Sequence, residues 1–347
     1  MNIWIDLLHT PQYNFYRNFI VRLSQSNTVF VTVLNRGKLP VIVKRELAAY
    51  ANVHIDIVGN HHFSKASAIL DANLKRLWHL YRWSKNKNID IAFSNAFHAA
   101  LIGKIRHFKT YTFDDDPQTS DYKLKILFSK QSSYCIYELP NGYSISNKVK
   151  VLPVLKEWAY LSPDIFQPDK SVLNEYNLQP NGYFFFREVS VGTVNYTGQA
   201  PDSILHIAHL IPQNIPVLLS LEKKDKYQEY PQNWILLQEP IKDIHSLIYF
   251  SKGLISSGDS MAREAALLGV PSYYLGIRYN MPANAAAAKV GSLDNEQTMD
   301  FGEWISQRLR TEVTINDKEE VRKIIKEKFI DINQYMIDLI FSNEAVS

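Results

Sequence analysis

Apolar residues in this chain fall into short β-branched or aromatic runs, separated by longer stretches at helical spacing. Ile3-Trp4-Ile5 is the first such run. Thr10-Pro11 follows it, a pair suited to a helix cap with proline at the first helical position. Phe15, Phe19, Ile20 and Leu23 then recur on one helical face. Thr28 to Val33 is β-branched and apolar and reads as a buried strand. His54 to Val58 and Ile89 to Phe93 repeat the pattern, each followed by a helical segment. Lys109 to Phe113 makes another strand and runs into Asp114-Asp115-Asp116-Pro117. Strands separated by helices imply parallel βαβ units and a doubly wound sheet.

Between about Val151 and Pro180 the pattern lapses, punctuated by Pro153, Pro163, Pro168 and Pro180. It resumes with strand-like runs at Tyr183 to Phe186, Val217 to Leu221, Trp234 to Leu237 and Gly253 to Ser256. Helical segments are expected around Ser203 to Leu210, Asp243 to Phe250 and Met261 to Leu268. Asp317 to Phe341 reads as a long amphipathic helix with a break near Asp331. The expected organisation is a Rossmann-like domain over 1–155, a connection over 156–180, a second Rossmann-like domain over 181–316 and a helical segment over 317–347. Ligands of open α/β sheets sit beyond the carboxyl ends of the strands. Two such sheets facing each other would place a ligand in the cleft between them.

Composition narrows the function classes. At 347 residues the chain is long enough for two cores, and 46% apolar with 21% charged residues is ordinary for a globular protein. A formal charge of +3 gives no argument for nucleic acid. The one cysteine, Cys135, rules out an intrachain disulfide and reads as a small core residue. The start Met1-Asn2-Ile3-Trp4-Ile5-Asp6 lacks the basic and apolar regions of a signal peptide, and no window resembles a spanning helix. The expected location is the cytoplasm, with the inner face of the membrane as an option.

Four strand ends carry candidate chemistry. In Asp6-Leu7-Leu8-His9-Thr10-Pro11, His9 precedes a helix and could act as general base or steady a phosphate, or simply bond the turn. Ser94-Asn95-Ala96-Phe97-His98 is a polar turn suited to ligand bonding or to capping, with His98 as its candidate. In Asp114-Asp115-Asp116 a solvated turn competes with hydrogen bonding to acceptor hydroxyls or base work by Asp115 or Asp116. A divalent metal is conceivable there, but adjacent carboxylates cannot all face one ion, and no metal is expected. The fourth end, Ile255-Ser256-Ser257-Gly258-Asp259-Ser260, leads into a helix and a Gly269-Val270-Pro271 exit. Backbone N–H groups at a helix start with small residues in front form an anion site. Glu264 is far enough along that helix to reach a sugar hydroxyl. Arg187, at the end of Tyr183 to Phe186, could hold a diphosphate with paired donors or form an ion pair with Glu188.

The helix expected from Lys65 to Lys87 has Ile69, Leu70, Leu74, Leu77, Trp78 and Tyr81 along one side. Lys75, Arg76, Arg82 and Lys85 give it positive charge. It is expected to pack on the sheet; resting on an anionic membrane surface is the alternative.

Trp4-Ile5-Asp6 with Pro11, the Phe113-Asp114-Asp115-Asp116 strand end, Lys156-Glu157-Trp158-Ala159-Tyr160-Leu161 and Ser260-Met261-Ala262-Arg263-Glu264-Ala265-Ala266-Leu267-Leu268-Gly269-Val270-Pro271 together resemble the uncharacterised family DUF354. That family is similar to GT-B glycosyltransferases and non-hydrolysing UDP-GlcNAc 2-epimerases. The resemblance runs over about Asn2 to Pro271, and implies two Rossmann-like domains around a nucleotide-sugar. It implies a donor site made by Arg187, Ser257, Gly258, Ser260, Arg263 and Glu264, with Gly258 and Ser260 on the diphosphate and Glu264 on the ribose. The family pattern is glycine-rich where this chain has Ser256-Ser257-Gly258-Asp259. Asp259 therefore brings a negative charge close to the expected phosphates, which Arg187, Arg263 or a cation must offset, unless it points away and caps the helix.

The resulting expectation is a glycosyltransferase of surface polysaccharide or glycoconjugate assembly. It would take a nucleotide-sugar, a UDP-sugar first, as substrate rather than cofactor, with a glycan or lipid-linked acceptor. The first domain would offer the acceptor to a base among His9, His98, Asp115 and Asp116. An epimerase and a non-catalytic sugar- or nucleotide-binding protein are the alternatives.

Overall fold

The computed structural model describes residues 1–60, 74–117, 119–139, 146–191, 196, 198–238 and 241–341. They fold as two compact units, Met1–Tyr160 with Ile330–Ser347, and Leu161–Phe329.

The first unit is built on seven parallel strands: β1 (Asn2–Leu7), β2 (Thr28–Asn35), β3 (Val53–Asn60), β4 (Ile91–Ser94), β5 (Lys109–Asp114), β6 (Gln131–Cys135) and β7 (Val149–Leu152). Their order is β3-β2-β1-β4-β5-β6-β7, so the chain reverses direction across the sheet between β1 and β4. The helices are α1 (Thr10–Leu23), α2 (Leu39–Leu47), α3 (Arg76–Trp83), α4 (Phe97–Arg106), α5 (Tyr122–Phe128) and α6 (Trp158–Leu161). Both faces of β1 are covered, and Ile3, Trp4, Ile5 and Leu7 have no solvent exposure. Such strands read as continuous apolar runs because helices lie on each side of the sheet.

The second unit repeats the plan with six parallel strands: β8 (Phe184–Glu188), β9 (Val217–Leu221), β10 (Trp234–Leu236), β11 (Gly253–Ser256), β12 (Ser272–Tyr274) and β13 (Leu293–Asn295). Their order is β10-β9-β8-β11-β12-β13. Its helices are α7 (Ser203–Ile207), α8 (Ile244–Tyr249), α9 (Asp259–Leu267), α10 (Pro282–Val290), α11 (Phe301–Arg310) and α12 (Ile315–Lys328). Phe184, Phe186, Leu219, Ile255, Tyr273 and Trp304 form the centre of its core. Gly269 leaves α9 with φ +72°, the left-handed exit that glycine makes without steric cost. The sequence β12–β13 with α10 between them was not anticipated from the apolar pattern.

The terminal stretch is divided between the units. The expected helical segment over 317–347 is two helices, parted at Phe329 to Asp331 where the sequence suggested a break; α12 lies in the second unit and α13 (Ile332–Phe341) in the first. In the first unit Asn333 donates to the carbonyl of Ala159 at 2.9 Å, and Gln131 donates to the Tyr335 hydroxyl at 2.9 Å. The boundary between units falls at Tyr160/Leu161, inside the expected 156–180 connection.

Cys135 is fully buried, and burial pushes its thiol up, out of the thiolate range. Among the described residues no helix is long and apolar enough to cross a membrane. The helix expected over Lys65 to Lys87 is seen as α3; Ile69 and Leu70 lie outside the described residues. Its apolar residues do not share one side. Leu77 and Leu80 pack on the core with Trp4 and Ile102, whereas Leu74, Trp78 and Tyr81 face outward. Arg76, expected among the surface charges, is buried against Asp6.

Candidate active site

At the carboxyl end of β1, Asp6 has no exposure and accepts from Arg76 Nη1 at 3.0 Å and Nη2 at 2.5 Å. Thr32 Oγ1 donates to the same carboxylate at 2.6 Å, and Arg76 Nε donates to the Val58 carbonyl at 3.1 Å. Asp6 is thus a fully bonded structural carboxylate that ties β1, β2, β3 and α3 together. Such a pair survives burial because its hydrogen bonds replace hydration.

His9 stands three residues on, as the cap residue of α1, and is half-buried. Burial, Arg36 and Lys156 lower its pKa from 6.5 to about 3, with Asp115 pulling the other way. Its imidazole is therefore neutral at physiological pH, with a lone pair to accept a proton. Lys156 Nζ lies 2.7 Å from Asp115 Oδ1. Burial works against the Lys156 ammonium, and Asp115 and Asp114 more than offset it, so it is held charged.

The three aspartates diverge. Asp114 is buried and paired with Lys125, whose ammonium also lies 2.9 Å from Asp121 and donates to Thr119 at 2.9 Å. Burial pushes the Asp114 carboxyl up against the pull of Lys125 and Lys156. Asp115 turns to Lys156 instead, and Asp116 is half-buried beside it. His98 is buried in the first turn of α4, its ring stacked on Phe97 at 4.3 Å between centroids. Of the four acid–base candidates, His9 and Asp115 share one electrostatic cluster through Lys156. Lys156 and Arg36 were not singled out from the sequence. Lys156 opens the Lys156-Glu157-Trp158-Ala159-Tyr160-Leu161 motif, so its signal was present there.

In the second unit the ends of β8 and β11 lie side by side, with Arg187 opposite Ser256. Arg187 donates to Ser220 Oγ at 3.0 Å and to Glu222 Oε1 at 2.8 Å, both from β9 and its end. Its ion pair is with Glu222, not with the adjacent Glu188. Alternate residues of a strand point to opposite faces, and Glu188 is directed into the protein. There it accepts from Ser257 Oγ at 2.6 Å and from the Ile204 amide at 2.7 Å. Ser257 is fully buried, and its hydroxyl also accepts from the Val189 amide at 2.9 Å. Its side chain braces the turn.

Gly258 caps α9, and a Cβ there would lie 2.6 Å from Val189 Cγ1, so a larger residue would have to push the Val189 side chain aside. Its amide donates to Ser256 Oγ at 3.0 Å. Asp259 is buried as the first residue of α9. Its Oδ1 accepts from the Ser260 amide at 3.0 Å and from the Tyr196 hydroxyl at 3.3 Å. Its Oδ2 accepts from Arg278 Nη1 at 3.0 Å and lies 3.5 Å from Arg263 Nη1. A carboxylate is favoured at a helix N-terminus, and two guanidinium groups share its charge. Asp259 therefore has its charge opposed by Arg278 and Arg263.

Arg263 is buried and also donates to Asn284 Oδ1 at 2.8 Å, joining α9 to α10. Glu264 is buried with Oε2 at 3.5 Å from His245 Nε2, at the start of α8. Arg278, Tyr196 and His245 were missed in the sequence. They come from separate parts of the chain and carry no local motif.

The family model described as "Protein of unknown function (DUF354)" matches residues 197–343, the second part of the chain including α9. No curated protein matches the sequence. Solved structures match over nearly the whole chain. UDP-GlcNAc 2-epimerase from Neisseria meningitidis bound to UDP-GlcNAc is 15% identical, with a TM-score of 0.62 over 99% of this chain and 100% of that one. Spinosyn rhamnosyltransferase SpnG with spinosyn aglycone is 12% identical, with a TM-score of 0.64 over 98% and 100%. The S. aureus MnaA–UDP structure is 11% identical, with a TM-score of 0.67 over 100% and 97%. The fold is that of GT-B glycosyltransferases and UDP-GlcNAc 2-epimerases: two Rossmann-like α/β units on parallel sheets.

Proposed function

We propose that the chain is a glycosyltransferase that takes a nucleotide-sugar, a UDP-sugar first, and passes its sugar to a hydroxyl of a glycan or lipid-linked acceptor. The observation that carries this reading is the neutralisation of Asp259 by Arg263 and Arg278 at the start of α9. The one residue that opposed a phosphate at this turn is held in ion pairs, so it does not repel an incoming anion at full strength.

In this reading the diphosphate displaces Asp259 from part of its bonding. It takes the Ser260 amide and shares Arg278, with Arg187 as a further cation. Gly258 lets the backbone approach, and Glu264 accepts from a ribose hydroxyl. Ser257 and Arg263 hold the turn in shape from within. Donors fixed before reaction stabilise the charge that develops on the leaving diphosphate. His9 serves as the base for the acceptor hydroxyl. Its imidazole is unprotonated at neutral pH, and it gains basicity only when acceptor binding draws Arg36 or Lys156 away and leaves Asp115 to favour the imidazolium.

The test is a thermal-shift panel of UDP-, GDP- and TDP-sugars, followed by turnover with glycan acceptors. A UDP-sugar should raise the melting temperature, and Glu264→Ala should remove the rise. Failure of every nucleotide-sugar would overturn the reading. Conversion of the donor with no acceptor would replace it with an epimerase, and binding without turnover with a non-catalytic binding protein.

A further inference from the structure

Three helices of the first unit, α3, α4 and α5, pack side by side, α3 on α4 and α4 on α5. None of the three contains an aspartate or glutamate between its first and last residues. Their outward positions combine large apolar side chains with cations. Leu74, just before α3, is 62% exposed and Trp78 53%; on the neighbouring helices Ile105 is 52% and Leu127 59% exposed. Tyr81 and Leu124 continue the same surface. Single exposed apolar residues are unremarkable. Nearly half of the large apolar residues exposed among the described residues fall on these three adjacent segments, and that grouping marks an interaction surface.

The cations are interleaved with the apolar groups. Lys75, Arg82, Lys85, Lys104 and Lys123 are exposed on the same helices or beside them. The Arg82 guanidinium sits 4.7 Å from the centre of the Trp78 ring, and the Arg106 guanidinium 4.2 Å from that of Tyr81. Each aromatic ring therefore carries a positive group at its own level. Of the acidic residues at the edge, Asp121 is turned to Lys125 at 2.9 Å, and Asp56 accepts from Trp83 Nε1 at 2.8 Å and lies 3.8 Å from Lys87 Nζ.

We infer that this face docks on a lipid bilayer bearing anionic headgroups. Trp and Tyr bodies suit the headgroup boundary, aliphatic tips reach the acyl region, and Arg and Lys extend to phosphates while their stems stay on apolar surface. The charge pattern selects this occupant over a second copy of the chain. Two such faces would bring cations against cations with no acid on any of the three helices to receive them. The inner half of α3 is already used, since Leu77 and Leu80 pack on Trp4 and Ile102. The outer half, with Leu74, Trp78 and Tyr81, is exposed among the described residues. This inference is independent of the sugar chemistry proposed above.

The test is flotation of the full chain with vesicles of phosphatidylcholine, with and without phosphatidylglycerol, at low and high salt. The protein should float with the anionic vesicles only, and high salt should release it. Arg82→Glu with Lys104→Glu should weaken that binding by at least about tenfold, as expected from about fivefold per basic side chain near the surface. Trp78→Ser should weaken it as well, without changing the far-UV spectrum or the melting temperature. Absence of binding to anionic vesicles, or binding that the charge reversals leave unchanged, would overturn the inference. A salt-stable dimer in sedimentation velocity that Trp78→Ser dissociates would overturn it in favour of self-association.

Discussion

Arg278 Nη1 donates to Asp259 Oδ2 at 3.0 Å, which fixes the loop after β12 to the first residue of α9. The pair joins positions nineteen residues apart in sequence, and it holds the carboxylate at the start of α9 in place. Replacing Asp259 by alanine should cost about 3 kcal/mol in urea unfolding of the second unit, because two guanidinium groups lose their carboxylate in a buried place. Arg278→Ala should cost less, since Arg263 stays beside Asp259 and the Arg278 side chain reaches solvent. Equal losses would contradict the assignment. In binding titrations the order should reverse: Arg278→Ala weakens UDP binding, whereas Asp259→Gly strengthens it.

Arg76→Met should destabilise the first unit by about 3–5 kcal/mol, the range for leaving one buried charge unpaired. Arg76 serves Asp6 and the Val58 carbonyl together, so a lysine cannot replace its planar fork. Chemical denaturation read through the tryptophans reports the loss, and a change within about 0.5 kcal/mol would show that the pair is dispensable.

Gly269→Ala should cost at least about 2 kcal/mol. The φ of +72° strains any side chain, and the added Cβ would meet the Lys318 carbonyl oxygen at 2.6 Å on the adjoining α12. That backbone atom cannot rotate away. A denaturation midpoint equal to that of the parent protein would refute this account of the Gly269-Val270-Pro271 exit.

His9 gives an acid-limb prediction. Its folded pKa of about 3 lies below the ordinary 6.5. Between these values the unfolded chain takes up a proton that the folded chain refuses, so stability falls as pH drops from about 6.5 toward 3. Between pH 7.5 and 5.5 this term removes about 1 kcal/mol. His9→Asn should flatten that part of the stability–pH curve. An unchanged slope would place the His9 ring in solvent.

Much of the fold was legible because its strands are continuous apolar runs. Val217 to Leu221 and Gly253 to Ser256 have the ends that the sequence predicts. β7 was hidden because Val149–Leu152 is short, includes Lys150, and runs directly into Pro153. β12 and β13 have three residues each, too few for a period to show. α10 reads Pro-Ala-Asn-Ala-Ala-Ala-Ala-Lys-Val, with no large side chains to form a stripe. In α3 both sides are apolar, so spacing alone could not say which side meets the sheet, and Arg76 passed for a surface charge. At the candidate site, the residues of β11 and α9 were legible as one motif. Their partners Arg278, Tyr196 and His245 were not, because contact there is made by folding and not by neighbourhood in sequence.

The splitting of the terminal helices has a consequence for biosynthesis. The second unit is one unbroken stretch, Leu161–Phe329, whereas the first draws on Ile330 onward for α13. On the ribosome the later unit therefore has all its parts before the earlier one does. Until α13 emerges, the side of α1 against which it packs stays uncovered, and the Ala159 carbonyl has Asn18 but not Asn333 as a donor. The nascent first unit must wait for α13, made only after the whole second unit, before its sheet is covered on that side.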